Sequence, residues 1–240
     1  MSRYLARDMS GSGSIEAVIF DLDNTLVESA IDFREMRLRI VRELEQSGAP
    51  RQVVDEEKTV LSNIKAGRDY ISRLRDERYV RDLDIRLGGI LTDCELSTVP
   101  TVKAIEGARE ALARLMDDGF VVGLLTRGSR VYAEAALAKA ELLEFIRHSV
   151  CRDDYPLEEA KPNPVAMLRI TSMLGTSPGS VLYVGDHPID LVCARASGTR
   201  FIGLLSGATS AEKWRELGSD FVKSAADVPE AVDDMGAGGR

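Results

Sequence analysis

Val18-Ile19-Phe20-Asp21-Leu22-Asp23-Asn24-Thr25-Leu26 is the stretch on which the reading of this chain turns. Its first three residues make a short apolar run of the kind that builds a buried strand. That run delivers Asp21 and Asp23 at its end. Carboxylates at i and i+2 past a strand both reach the adjoining loop, because the chain turns away there. Unpaired buried charge is expensive, so core packing gives no reason to place two acids beside a strand. A divalent cation or a phosphoryl group would give one.

Working outward, two kinds of sequence alternate. Over 14–26, and again from about 99 to 228, short apolar strands alternate with helical patterns. The spacing predicts strands over 120–125, 149–152, 181–184 and 201–205, and helices over 107–118, 130–140, 164–174 and 190–197. Asn163 is placed to cap the helix that opens at Pro164, and Gly175 stands just past its end. Such alternation predicts an α/β fold, a Rossmann-like parallel sheet with helices on both faces. Trp214 reads as partial cover for that core.

Residues 29–98 differ. Phe33, Met36, Ile40, Val41 and Leu44 recur at helical spacing, as do Val53, Val54, Val60, Leu61 and Ile64. No strand pattern interrupts them. An all-helical module inserted after the first strand follows, and its position suggests a lid. The expected organisation is a flexible tail over 1–13, a core over 14–28 and 99–228, the helical insert over 29–98, and a C-terminal tail over 229–240.

Composition narrows the function classes. Of 240 residues 44% are hydrophobic and 29% charged, the balance of an ordinary globular protein. A net charge of −8 disfavours nucleic-acid binding, which relies on basic patches. No run approaches the roughly 18 apolar residues of a membrane span, and no apolar signal core stands near the N-terminus. Cys94, Cys151 and Cys193 are odd in number and lack metal-ligand spacing, which suggests reduced thiols in a cytoplasmic protein.

Three of the apolar strands end in an oxygen-bearing residue: Phe20 precedes Asp21, Leu125 precedes Thr126, and Gly185 precedes Asp186. In an open parallel sheet such residues project at one carboxyl edge, where ligands bind. Lys161 comes between the second and third, just ahead of a helix. Oxygen-only anionic ligands suit Mg²⁺, which binds through one or two carboxylates together with water and phosphate. A hydroxyl, a lysine and the backbone N–H groups of the turn Arg127-Gly128-Ser129 suit phosphate oxygens. An aspartate can act as nucleophile toward phosphorus, and a second carboxyl can move the protons.

At these residues the chain resembles the haloacid dehalogenase-like superfamily of hydrolases, in its phosphoglycolate phosphatase-like branch. Asp21-Leu22-Asp23-Asn24-Thr25 is similar to the DxDx[TV] motif, and Thr126 to the second motif. Lys161-Pro162 resembles the third motif, and Gly185-Asp186-His187-Pro188-Ile189-Asp190 the fourth, GDxxxD. The motifs fall in the right order over about 140 residues of core, and the insert matches the family's cap position.

The resemblance implies a Mg²⁺-dependent phosphatase that hydrolyses a small-molecule phosphomonoester, phosphoglycolate-like or a sugar phosphate, through an aspartyl-phosphate. It implies Asp21 as nucleophile and metal ligand, and Asp23 as acid/base whose backbone carbonyl also meets the metal. Asp186 would bind the metal directly and Asp190 would orient metal-bound water. Thr126 and Lys161 would hold phosphoryl oxygens, with Arg127 beside them. Arg127 and His187 depart from the residues usual in the family. The implied partner is a small phosphate ester, with no nucleic acid or membrane, for a monomer or homodimer. Two alternatives stand: a phosphomutase of the β-phosphoglucomutase type, and a phospho-receiver signalling domain, disfavoured because Asp186 follows the lysine.

Overall fold

The computed structural model describes residues 14–237. Within it the chain divides into two compact units, one holding residues up to Ser29 and from Thr101 onward, the other Ala30–Pro100. The strands are β1 (Ala17–Phe20), β2 (Val27–Glu28), β3 (Lys103–Ala104) and β4 (Val121–Leu125). They continue with β5 (His148–Val150), β6 (Val181–Gly185), β7 (Arg200–Leu204) and β8 (Phe221–Val222). All lie in the first unit. Six form a parallel sheet in the order β5-β4-β1-β6-β7-β8, while β2 and β3 pair as an antiparallel ribbon.

Ala30–Pro100 is helical: α1 (Phe33–Gln46), α2 (Val60–Ile71) and α3 (Glu77–Leu96). Each opens on a side-chain cap, from Asp32, Thr59 and Asp76 respectively. Met36, Ile40, Val41 and Leu44 of α1 are buried in this unit, with Ile64 and Ile71 of α2 and Leu83, Leu87 and Leu91 of α3. Gly67 lets α2 approach α1 closely, since a Cβ there would lie 2.7 Å from Leu44 Cδ2. Val53 and Val54 precede the helix their spacing suggested, because Thr59 starts α2 later.

The sheet is flanked by α4 (Ala108–Asp117), α5 (Arg130–Lys139), α6 (Pro164–Leu174), α7 (Pro188–Ser197), α8 (Ala211–Glu216) and α9 (Val228–Ala237). All four residues of β1 are buried, as expected of a central parallel strand covered on both sides. In α6 the Asn163 side chain accepts from Val165 N, Pro164 opens the helix, and Gly175 closes it at φ 70°. Helix α7 begins at Pro188 rather than Asp190, because His187 Nδ1 accepts from Ile189 N and proline is suited to the first turn.

Two expectations need correction. The stretch over 229–237, read as tail, belongs to α9, which packs near α4 with Val228, Ala231 and Val232 buried. Those residues fall at i, i+3 and i+4, one short apolar stripe that the surrounding Asp and Gly obscure. Trp214 is fully buried rather than partial cover, and its Nε1 donates to Leu204 O at 3.2 Å. The tail read over 1–13 lies outside the described residues. Among the described residues no helix is long and apolar enough to cross a membrane.

Register places the ends of three strands side by side. Phe20 pairs with Leu124 on one side and Val184 on the other, so Asp21 falls level with Leu125 and Gly185. The strand order reverses around β1, the position at which open α/β sheets bind ligands. After β1 the backbone folds on itself: Leu26 N and Val27 N both donate to Leu22 O, and Asn24, at φ 58°, donates to Val27 O at 2.7 Å. Thr25 inside this turn is fully buried. Its Oγ1 is the one buried side-chain polar atom lacking a hydrogen-bond partner among the described residues.

An orphaned buried hydroxyl costs about 1–3 kcal/mol. Thr25→Val keeps the branched shape and removes that atom, so the melting temperature should hold or rise by a few degrees. A clear fall in calorimetric Tm would show that the hydroxyl has a partner after all.

Candidate active site

The turn after β1, the loop after β4, the segment before α6 and the start of α7 bring their polar residues together. Lys161 joins them. It is 2% exposed, and its Nζ lies 2.6 Å from Asp21 Oδ1, 2.7 Å from Tyr183 Oη, 2.8 Å from Asp190 Oδ1 and 3.1 Å from Leu125 O. An ammonium has three protons to share among these four oxygens. Asp190 is equally committed: Oδ1 also accepts from the Tyr183 hydroxyl at 2.8 Å, and Oδ2 accepts from His187 N at 3.2 Å. Gly185 is needed here, since a Cβ would come within 2.5 Å of Asp190 Oδ2.

Asp186, 5% exposed, takes its support from the loop after β7. Ala208 N donates to its Oδ2 at 3.3 Å, and Thr209 Oγ1 donates to its carbonyl at 2.6 Å. A Cβ on Gly207 would stand 2.0 Å from that same Oδ2, so the loop can close over the carboxylate only with glycine there. One carboxylate oxygen each from Asp21, Asp186 and Asp190 lies within 4.8 Å of the others. Oxygen-only donors clustered this tightly fit a small hard cation. Since Asp190 already serves Lys161, Tyr183 and His187, Asp21 and Asp186 are the better candidates for direct ligands.

Asp23 stands apart from that cluster. Its backbone bridges to Val27, and its Oδ1 accepts from the Tyr132 hydroxyl at 2.6 Å. Thr126, 1% exposed, accepts from Gly128 N at 2.9 Å, which uses a lone pair of Oγ1 and spares its proton. Arg127 is half-buried, and among the described residues its guanidinium makes no hydrogen bond or ion pair. Burial lowers its affinity for the proton, with Asp21 pulling the other way.

The electrostatics follow from three carboxylates sharing one ammonium. Burial pushes Asp21 up to about 8, against the pull of Lys161 and reinforced by Asp190, Asp186 and Asp23. Burial, then Asp190, pushes Asp186 up to about 6. For Lys161 burial acts downward, but Asp190 and Asp21 outweigh it and hold the ammonium above its usual range. The Tyr183 hydroxyl is raised well above its ordinary value by burial and by Asp190 and Asp21, and it stays protonated.

The model of the haloacid dehalogenase-like hydrolase family matches residues 18–204, spanning every residue described above except the loop members beyond Leu204. The chain belongs to that family. A phosphoglycolate phosphatase of Nitrosospira multiformis is 28% identical over 217 residues, covering 87% of this chain and 91% of that one. An N-acetylmuramic acid 6-phosphate phosphatase of Pseudomonas aeruginosa is 27% identical, over 78% of this chain and 80% of its own. Among solved structures, a haloacid dehalogenase-like protein of Agrobacterium tumefaciens superposes with a TM-score of 0.62. It covers 92% of this chain and 99% of its own at 23% identity, which speaks for the shared fold.

Two tyrosines of this candidate site escaped the sequence. Tyr183 lies inside an apolar strand and reads there as core; its hydroxyl two residues before Gly185 was the available signal. Tyr132 sits in the helix after Thr126, where an aromatic also reads as packing.

Both raised carboxyls bind protons more tightly folded than unfolded, so between pH about 4 and about 8 the fold loses stability as pH rises. A cation favours their ionised forms. Saturating Mg²⁺ should therefore raise Tm more at pH 8 than at pH 5, measured by scanning calorimetry. An increment independent of pH would remove these carboxylates from the cation site.

Proposed function

We propose that the protein is a Mg²⁺-dependent phosphatase acting on a small-molecule phosphomonoester through an aspartyl-phosphate on Asp21. The observation that carries this reading is the shared ammonium: Lys161 links Asp21 to Asp190 at the carboxyl edge, where Asp186 also arrives. The names of the similar phosphatases support the same reaction class. Mg²⁺ held by Asp21 and Asp186, with the Asp23 carbonyl, would neutralise charge between nucleophile and phosphate.

The chain's own groups account for the rest. A carboxylate oxygen of Asp21 attacks phosphorus and forms an O–P bond. The ester P–O bond breaks, its electron pair stays on the ester oxygen, and Asp23 supplies the proton that lets it leave as an alcohol. Water then attacks the phosphorus of the aspartyl-phosphate and gives a proton back to Asp23. Phosphate departs and the Asp21 carboxylate returns. Thr126, with its proton available, and the backbone N–H groups of the turn hold phosphoryl oxygens.

Lys161 has its protons engaged by protein oxygens, so its contribution is chiefly charge and the placing of Asp21. Arg127 carries an uncommitted cation and is assigned to the substrate's own anionic groups. That suits a phosphorylated acid such as phosphoglycolate over a neutral sugar phosphate. The unit Ala30–Pro100, inserted directly after β2, is assigned the part of a cap that restricts substrate size. With small metabolites as substrates, a cytoplasmic location fits. A phosphomutase would keep every one of these residues, and release of inorganic phosphate rather than an isomerised sugar phosphate separates the two.

Asp21→Asn removes the nucleophile and should abolish turnover. Asp23→Asn keeps it but loses proton transfer, so turnover on an alkyl phosphate should fall about 10²–10⁴-fold. With p-nitrophenyl phosphate, whose leaving group needs less protonation, Asp23→Asn should accumulate phosphoenzyme because water attack still lacks its base. Mass spectrometry after rapid quench should then find phosphate on Asp21; label elsewhere would overturn the assignment.

A further inference from the structure

Tyr132 is fully buried in the first turn of α5, and its hydroxyl lies 2.6 Å from Asp23 Oδ1. Ser29 Oγ stands 3.5 Å from the same hydroxyl. The ring is held tightly from the side of the phosphate loop, since a Cβ on Gly128 would approach Tyr132 Cδ1 to 2.9 Å. A buried tyrosine hydroxyl needs a partner, and a backbone carbonyl would serve for packing alone. Here the hydroxyl donates to a carboxyl whose backbone is itself fixed by the bridge to Val27.

We infer that Tyr132 is a positioning residue that decides which oxygen of Asp23 carries the transferable proton. The inference rests on the acid/base role proposed for Asp23. A phenol that donates to Oδ1 finds an acceptor there in both states of the carboxyl, as carboxylate oxygen or as carbonyl oxygen. The acid proton is thereby kept on Oδ2. In the first step it passes from Oδ2 to the ester oxygen, which keeps the electron pair of the breaking P–O bond. As Asp23 becomes a carboxylate, the bond from Tyr132 gains the strength of a charge-assisted one. The phenol thus stabilises charge at the moment it develops. In the second step Oδ2 receives the proton of the attacking water. Without the phenol that preference between the two oxygens is lost, and the proton spends time on the wrong one.

The leaving group discriminates this role from packing. In Tyr132→Phe, kcat/KM on an alkyl phosphate should fall about tenfold, a fraction of the full general-acid contribution. On p-nitrophenyl phosphate it should stay within about twofold, because that leaving group needs little protonation. Replacing Tyr132 by fluorotyrosine, which keeps ring and hydroxyl, should restore the alkyl rate. On an Asp23→Asn background, Tyr132→Phe should add little, since the group it positions no longer transfers a proton. Equal losses on both esters, or a full additional loss on the Asp23→Asn background, would overturn the positioning role. Wild-type rates for Tyr132→Phe beside a slow Asp23→Asn would overturn it too, and leave the phosphatase reading standing. Wild-type rates for Asp23→Asn itself would instead remove the acid/base assignment, and this inference with it.

Discussion

One ammonium organises the carboxyl end of the sheet. Lys161 enters an interior that exposes almost none of it, and there meets two carboxylates, a phenol and a strand-end carbonyl. Dehydrating such ions costs several kcal/mol each, so the group persists because nearly every polar atom in it is hydrogen-bonded. Removing one partner would leave opposite charge buried and uncompensated, typically worth about 3–5 kcal/mol. The cluster ties β1, β4, β6, α7 and the segment before α6 to one point.

The balance within the cluster is deliberately short of positive charge. Asp186 faces Asp21 and Asp190, and among the described residues its carboxylate makes no ion pair: Ala208 N donates to it, while Thr209 holds its backbone carbonyl. Burial therefore lifts Asp186, and it lifts Asp21 even against the pull of Lys161. A site built for stability alone would pair each acid. This one holds back a share of neutralisation that a cation would complete, and it keeps Arg127 uncommitted at the same edge.

Much of this was legible in the residues. The core strands and α6 followed from apolar runs and from the Asn163-Pro164…Gly175 pattern, because local capping chemistry acts over a few residues. The strand-end residues Asp21, Thr126 and Asp186 were readable because a parallel sheet places all such ends at one edge. Asp190 was legible as an acid near a helix start, but not as the anchor of Lys161, since nothing local distinguishes the two. Tyr183 and Tyr132 looked like core because an aromatic ring packs alike whether its hydroxyl is used or not. Helix α9 was missed because its apolar stripe is a single turn long and depends on α4 for burial.

The β2–β3 ribbon has a wider meaning. Val27–Glu28 and Lys103–Ala104 run antiparallel and hydrogen-bonded, so the chain leaves the core and returns to it along neighbouring tracks. To the sheet, the entire helical unit between them is the loop of a hairpin. The entropy of closing a loop grows only with the logarithm of its length, so the core pays little for a long excursion over a short one. The ribbon therefore makes the core indifferent to what is spliced between its strands. One catalytic chassis could change its helical attachment in evolution without renegotiating a single strand of the sheet that carries the chemistry.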